Sequence, residues 1–184
     1  MTDPILWFLG RGTGVVLLAL LTATTVLGVL STRRGFHPLW PRFVTQELHR
    51  AVSGVAVLVL AGHVASAVVD EYGDIRWWQA LVPFGATYEP LYLSLGTLAL
   101  DLLAVVVVTS LLRGRLSGRT WRVVHRAAYA SWAVSVVHGV GMGTDVASPW
   151  FVWLTVTCVA LVAVATLARV VAAVLDRRQA MVAR

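Results

Sequence analysis

The chain has 184 residues, of which 58% are hydrophobic and only 13% charged, with a mean hydropathy of +0.78 and a formal net charge of +6. A soluble domain carries roughly 25% charged residues, so this chain lacks the polar surface of a soluble enzyme, a disordered regulator or a nucleic-acid binder. All 15 basic residues are arginine, and they stand between long apolar runs, a pattern of membrane topology and not of nucleic-acid contact. The length fits a single domain, residues 1–184. The one cysteine, Cys158, lies in an apolar run and forms no intrachain disulfide.

A spanning helix needs about 20 mostly apolar residues, and five stretches supply them. In chain order they are residues 5–30, 51–69, 91–112, 123–142 and 150–175. The composition therefore predicts an all-α integral membrane protein, a five-span helical bundle. The first stretch is not a signal peptide, because no basic segment precedes it and STRRG follows it. The segment GRGTG at 10–14 precedes a membrane helix with no strand before it, which excludes a phosphate loop.

Loop 31–50 carries Arg33, Arg34, Arg42 and Arg50. Loop 113–122 carries Arg113, Arg115, Arg119 and Arg122, and the tail adds Arg177, Arg178 and Arg184. The opposite loops hold Asp70, Glu71, Asp74, Glu89 and Asp145 against Arg76 alone. Arginine-rich loops stay in the cytoplasm, so a multi-pass protein of the cell membrane is expected, N-terminus outside and C-terminus cytoplasmic. Trp7, Trp40, Trp77, Trp78, Trp121, Trp150 and Trp153 fall at span ends, as interfacial anchors among the membrane lipid do. Residues 75–90, broken by Pro83, Gly85 and Pro90, read as an outer-surface helix and loop covering what opens on that side.

Ionisable residues at membrane depth are costly and mark functional sites. His37 reads as a solvated loop residue, but the other four histidines fall two on each of the second and fourth spans. His49 and His63 are 14 positions apart, and His125 and His138 are 13 apart. At about 1.5 Å of rise per residue, each span holds its two histidines about 20 Å apart in depth. Fourteen positions fall about 40° short of whole turns, which keeps His49 and His63 on one face. Thirteen fall about 140° short, so the fourth span must tilt, overwind or turn its histidines to different sides. Both spans run in the same direction, which sets His49 opposite His125 and His63 opposite His138. Neutral imidazole ligates haem iron well. Zinc wants three or four ligands together, and these pairs are too far apart to cluster. Two bis-histidine haems are the expected cofactors.

The segments ELHRAVSGVAVLVLAGH and WRVVHRAAYASWAVSVVHG resemble the ferric-reductase-like transmembrane domain family. That family includes ferric reductases, NADPH oxidases and the haem-binding membrane subunit of a methionine-sulfoxide reductase system. The resemblance extends from about Gly10 to Leu175, and the uneven spacing of 14 and 13 is part of it. It implies two b haems on His49, His125, His63 and His138. The flavin- and nicotinamide-binding domain of the oxidases and reductases has no counterpart in these 184 residues. The methionine-sulfoxide reductase subunit also lacks it, but does not usually show the residue matching His49. The expected role is an oxidoreductase electron-transfer subunit. It would take electrons from a cytoplasmic flavoprotein or quinol and pass them to an outer-side acceptor or partner subunit. The alternative from another class is a haem-free scaffold or transporter, with histidines lining a metal or proton path.

Supporting residues follow from charge and size. Arg50, Arg122 and Arg126 adjoin the inner ligands, and Arg76 stands in the outer loop. Each is a candidate partner for haem propionates, although the first three equally serve topology. Gly54, Gly62, Gly139 and Gly141 admit either a porphyrin plane or close helix packing. Trp132, between His125 and His138 in sequence, is a candidate for the gap between the haems or for the packed core. Asp101, at mid-span, is a candidate to accept a histidine N–H, hold a proton or pair with an arginine.

Overall fold

The computed structural model describes residues 4–31, 41–70, 75–86 and 88–182. Arg33, Arg34, His37, Trp40, Glu71, Asp74 and Arg184 lie outside the described residues. Six α-helices follow in order: α1 (Pro4–Leu30), α2 (Arg42–Val69), α3 (Pro90–Leu111), α4 (Gly118–His125), α5 (Ala127–Met142) and α6 (Pro149–Val182). There is no strand among the described residues. Helices α1, α2, α3 and α6 are each long and apolar enough to cross a membrane. At 16 residues, α5 is shorter than the about 20 that a hydrocarbon core demands.

The ends of these helices are written in the sequence. Pro90 opens α3 and Pro149 opens α6, where a missing N–H costs nothing. Ser117 caps α4 by accepting the Thr120 backbone N–H at 3.1 Å, a contact worth about 1 kcal/mol in soluble helices. Between α4 and α5 the ladder tightens at Arg126. Its N–H donates to the Val123 carbonyl at 3.3 Å, and the Tyr129 N–H donates to the Arg126 carbonyl at 3.1 Å. Both bonds reach back three residues instead of four, which turns the chain about 20° further per residue than an α-helix. Local overwinding thus makes up part of the angular shortfall between His125 and His138.

The packing is that of a protein whose solvent is apolar. Large side chains point outward, among them Leu58, Leu111 and Val164. The interior is dominated by small and hydroxylated residues, including Thr22, Ser66, Ala99, Thr97 and Ser131. With lipid outside there is no hydrophobic drive between helices, and close approach with interhelical hydrogen bonds takes its place. The Ser131 hydroxyl donates to the Ala99 carbonyl at 2.8 Å and joins α5 to α3. The Trp132 indole N–H donates to the Thr22 hydroxyl at 3.0 Å and joins α5 to α1. Helix α1 packs on α2, α5 and α6, and α3 packs on α5.

The segment between α2 and α3 docks on the end of α3. A short 3₁₀ turn, Trp77–Ala80, leads into residues held by the Thr97 hydroxyl donating to the Gln79 carbonyl (2.8 Å). The Phe84 N–H donates to the Ser94 hydroxyl (2.9 Å). Ile75 and Ala80 stand in the wall of the bundle's cavity, so this segment covers that side.

Candidate functional site

Three helices carry the histidines and two others hold them in place. His49 and His63 project from α2 toward α1, while His125 and His138, at the end of α4 and on α5, project toward α3. Every one has its Nδ1 engaged by the facing helix. His49 Nδ1 meets the Thr24 carbonyl at 3.0 Å, His63 Nδ1 the Gly10 carbonyl at 3.0 Å, and His138 Nδ1 the Tyr92 carbonyl at 2.7 Å. A carbonyl only accepts, so Nδ1 carries the proton in all three. His125 Nδ1 stands 3.2 Å from the Ser110 hydroxyl, which itself donates to the Val106 carbonyl at 2.7 Å. The serine proton is thus used, and its oxygen accepts from His125. The Thr13 hydroxyl adds a second contact to His63 at 3.1 Å. Fixing the proton on Nδ1 leaves the Nε2 lone pair of each ring for a ligand, the usual arrangement behind a metal-binding histidine.

The facing helices also make room for the rings. A Cβ at Gly14 would meet His63 Cε1 at 3.3 Å, one at Gly28 would meet His49 Cε1 at 3.3 Å, and one at Gly96 would meet His138 Cε1 at 2.5 Å. These provisions repeat with the histidines. Gly10 and Gly14 serve His63, and fourteen positions on, Thr24 and Gly28 serve His49. On α3, Tyr92 and Gly96 serve His138, and fourteen positions after Gly96, Ser110 serves His125, its own proton given to the Val106 carbonyl. Three of the four sites thus pair a backbone carbonyl with a glycine one turn later, and at the fourth the Ser110 hydroxyl stands in place of the carbonyl.

The four rings form two groups, at opposite ends of α2. At one end His49 and His125 have ring centroids 6.2 Å apart with planes inclined at 68°. Trp121 stacks on His125 (centroids 4.7 Å, planes 25°), and the Arg113 guanidinium lies over the Trp121 ring at 4.4 Å. The buried Trp121 Nε1 and Thr24 Oγ1 have no hydrogen-bond partner among the described residues. At the other end His63 and His138 line one cavity of about 860 Å³, together with Gly10, Arg11, Gly14, Gly96 and Asp145. Its volume lies within the range of about 300–1,000 Å³ typical of small-molecule and cofactor sites. The Thr155 hydroxyl, also in this wall, is buried without a hydrogen-bond partner among the described residues. Among the described residues, no cluster of three or more His, Cys, Asp and Glu is placed to hold a metal ion.

The other sequence candidates are placed as follows. Arg50, Arg122 and Arg126 are exposed, and Arg50 pairs with Glu47 at 3.5 Å. Arg76 is exposed beside Val68, Asp70, Trp77 and Trp78, outside the cavity wall. The arginine in that wall is Arg11, whose Nη2 donates to Asp145 Oδ2 at 2.8 Å. Gly54 and Gly62 are exposed with open space where a Cβ would stand. Gly139 lies in the cavity wall, and Gly141 packs against the Tyr92 ring. Trp132 is anchored to Thr22, which lies in sequence between Gly14 and Gly28 and hence between the two histidine levels. Asp101 is half-buried in α3 and has no hydrogen bond or ion pair with a described residue.

A family model described as a domain of unknown function (DUF8596) matches residues 5–145, a stretch that takes in all four paired histidines, Arg11 and Asp145. A comparison with curated proteins finds no match.

Proposed function

This chain belongs to the DUF8596 family, and we propose that it is a five-span b-type membrane cytochrome with two bis-histidine haems. In this reading it moves electrons from a cytoplasmic flavoprotein or quinol to an acceptor on the outer side. The fifth crossing is α4 and α5 taken together. The arginines of loop 113–122 mark the cytoplasmic end, which makes His49 and His125 the inner pair.

The observation that carries the reading is the common state of the four rings: Nδ1 held by a facing helix, Nε2 left to ligate, and rings grouped in twos. The separation of the inner pair agrees with it. The inner rings stand 6.2 Å apart between centroids, so His49 and His125 would hold one haem between them. The cavity between His63 and His138, and the unpartnered polar atoms of Trp121, Thr24 and Thr155 beside the two groups, fit a large ligand with a polar edge. Haem, when bound, would supply reversible one-electron chemistry. The residues of this chain fix the imidazole tautomers and clear space for the rings.

The experiment is a haem determination on the purified, haem-supplied protein. Two b-type haems per chain, both low-spin, are expected from the pyridine haemochrome and the reduced-minus-oxidised spectrum. A folded protein that takes up no haem would sink the reading.

A further inference from the structure

The first membrane helix carries one charged residue inside its length, Arg11, and a guanidinium at that position needs a partner. It has two. The Arg11 guanidinium lies 4.4 Å from the centre of the Trp7 ring, and its Nη2 donates to Asp145 Oδ2 at 2.8 Å. The arginine side chain is 20% exposed and the aspartate 49%, so the cation is the inner member of the pair. Arg11 stands between Gly10, whose carbonyl holds His63, and Gly14, against which the His63 ring packs. A fixed cation therefore lies at the level of the outer histidine pair, in the wall of the same cavity.

The pair is incompletely matched. A guanidinium has five donors in a planar fork that suits a carboxylate through two parallel bonds, yet Arg11 gives Asp145 a single one. It makes no other side-chain hydrogen bond to a described residue. Asp145 lies in the connection 143–148 between α5 and α6, so its carboxylate can withdraw without breaking a helix.

We infer that Arg11 is the anion anchor of the outer cavity. It receives a carboxylate of a flat, largely apolar ligand seated between His63 and His138, and Asp145 is the counter-ion that this carboxylate displaces. The inference rests on the haem reading, in which the carboxylate is a propionate.

The test is haem release from the full-length protein to excess apomyoglobin, followed by absorbance, with His63→Ala identifying the outer component. Arg11→Gln is expected to speed release of the outer haem about ten- to hundredfold, the range for losing a hydrogen bond to a charged group. The inner haem should keep its rate. Asp145→Asn should hold the outer haem at least as long as the parent protein, because a competing carboxylate is gone. If Asp145→Asn hastens release as Arg11→Gln does, the ion pair is merely structural and the inference fails. It also fails if Arg11→Gln changes neither rate. Should Arg11→Gln not assemble, Asp145→Asn decides alone: slower or equal release supports the inference, and faster release overturns it. A parent protein without haem refutes the haem reading itself, a result distinct from either failure.

Discussion

Gly96→Ala is the smallest change that should separate the two sites. The new methyl would stand 2.5 Å from His138 Cε1 and 2.6 Å from Nδ1. Ordinary contact begins near 3.4 Å, so the ring must retreat by about 0.9 Å. The ring is not free to do so, because its Nδ1–H donates to the Tyr92 carbonyl one turn earlier on the same helix, at 2.7 Å. Overpacking of this kind costs about 1–3 kcal/mol, and a weakened hydrogen bond adds about 1 kcal/mol. The helical preference of alanine over glycine returns about 0.5–1 kcal/mol. A net loss of about 1–3 kcal/mol should fall on the outer site, or about ten- to hundredfold in its occupancy. Gly14→Ala and Gly28→Ala provide the control, since their methyls would meet His63 and His49 at 3.3 Å, a tenth of an ångström from ordinary contact. They should keep both haems and leave thermal stability unchanged or slightly raised. Haem stoichiometry and a redox titration of the three variants are the assay. If Gly96→Ala retains both components at unaltered potentials, the close approach of α3 to His138 does not shape the site.

Ser110→Ala removes the hydroxyl that receives the His125 Nδ1–H. Loss of such an outer partner costs about 10–100-fold in metal affinity, so the inner haem should be released faster than the outer one in the apomyoglobin assay. Ser110→Thr, which keeps the hydroxyl, should restore retention. Orientation is checked by cysteine labelling in a Cys158→Ser background: positions in loop 70–90 should react from outside and positions in loop 113–122 should not. The reverse pattern would exchange electron entry and exit.

The histidines and their levels were legible because depth follows from residue count at a fixed rise. The 13-residue spacing was legible as a conflict but not as its resolution. Nothing in VVHRAAY by itself announces that Arg126 and Tyr129 bond back three residues. The space-clearing residues escaped for a different reason. Gly54, Gly62, Gly139 and Gly141 were natural candidates because they share helices with the histidines, whereas the rings press on Gly14, Gly28 and Gly96 of the facing helices. A contact between helices leaves no local periodicity, although one signal existed: Gly14 and Gly28 are separated by the same 14 positions as His49 and His63. Arginine followed topology. Arg50, Arg122 and Arg126 are exposed at the arginine-rich end, while Arg11, the cation that reaches the outer cavity, was marked only by its position inside an apolar run.

The central claim is that the four histidines work as two pairs, and haem counting in single-histidine variants tests it most directly. His63→Ala and His138→Ala should each lose the same outer haem and leave the inner one reducible. His49→Ala and His125→Ala should each lose the inner haem. The basis is depth, since about 20 Å along each span is too far for one porphyrin to take both of its histidines. If His63→Ala and His125→Ala lose the same haem while His138→Ala spares it, the pairing is wrong.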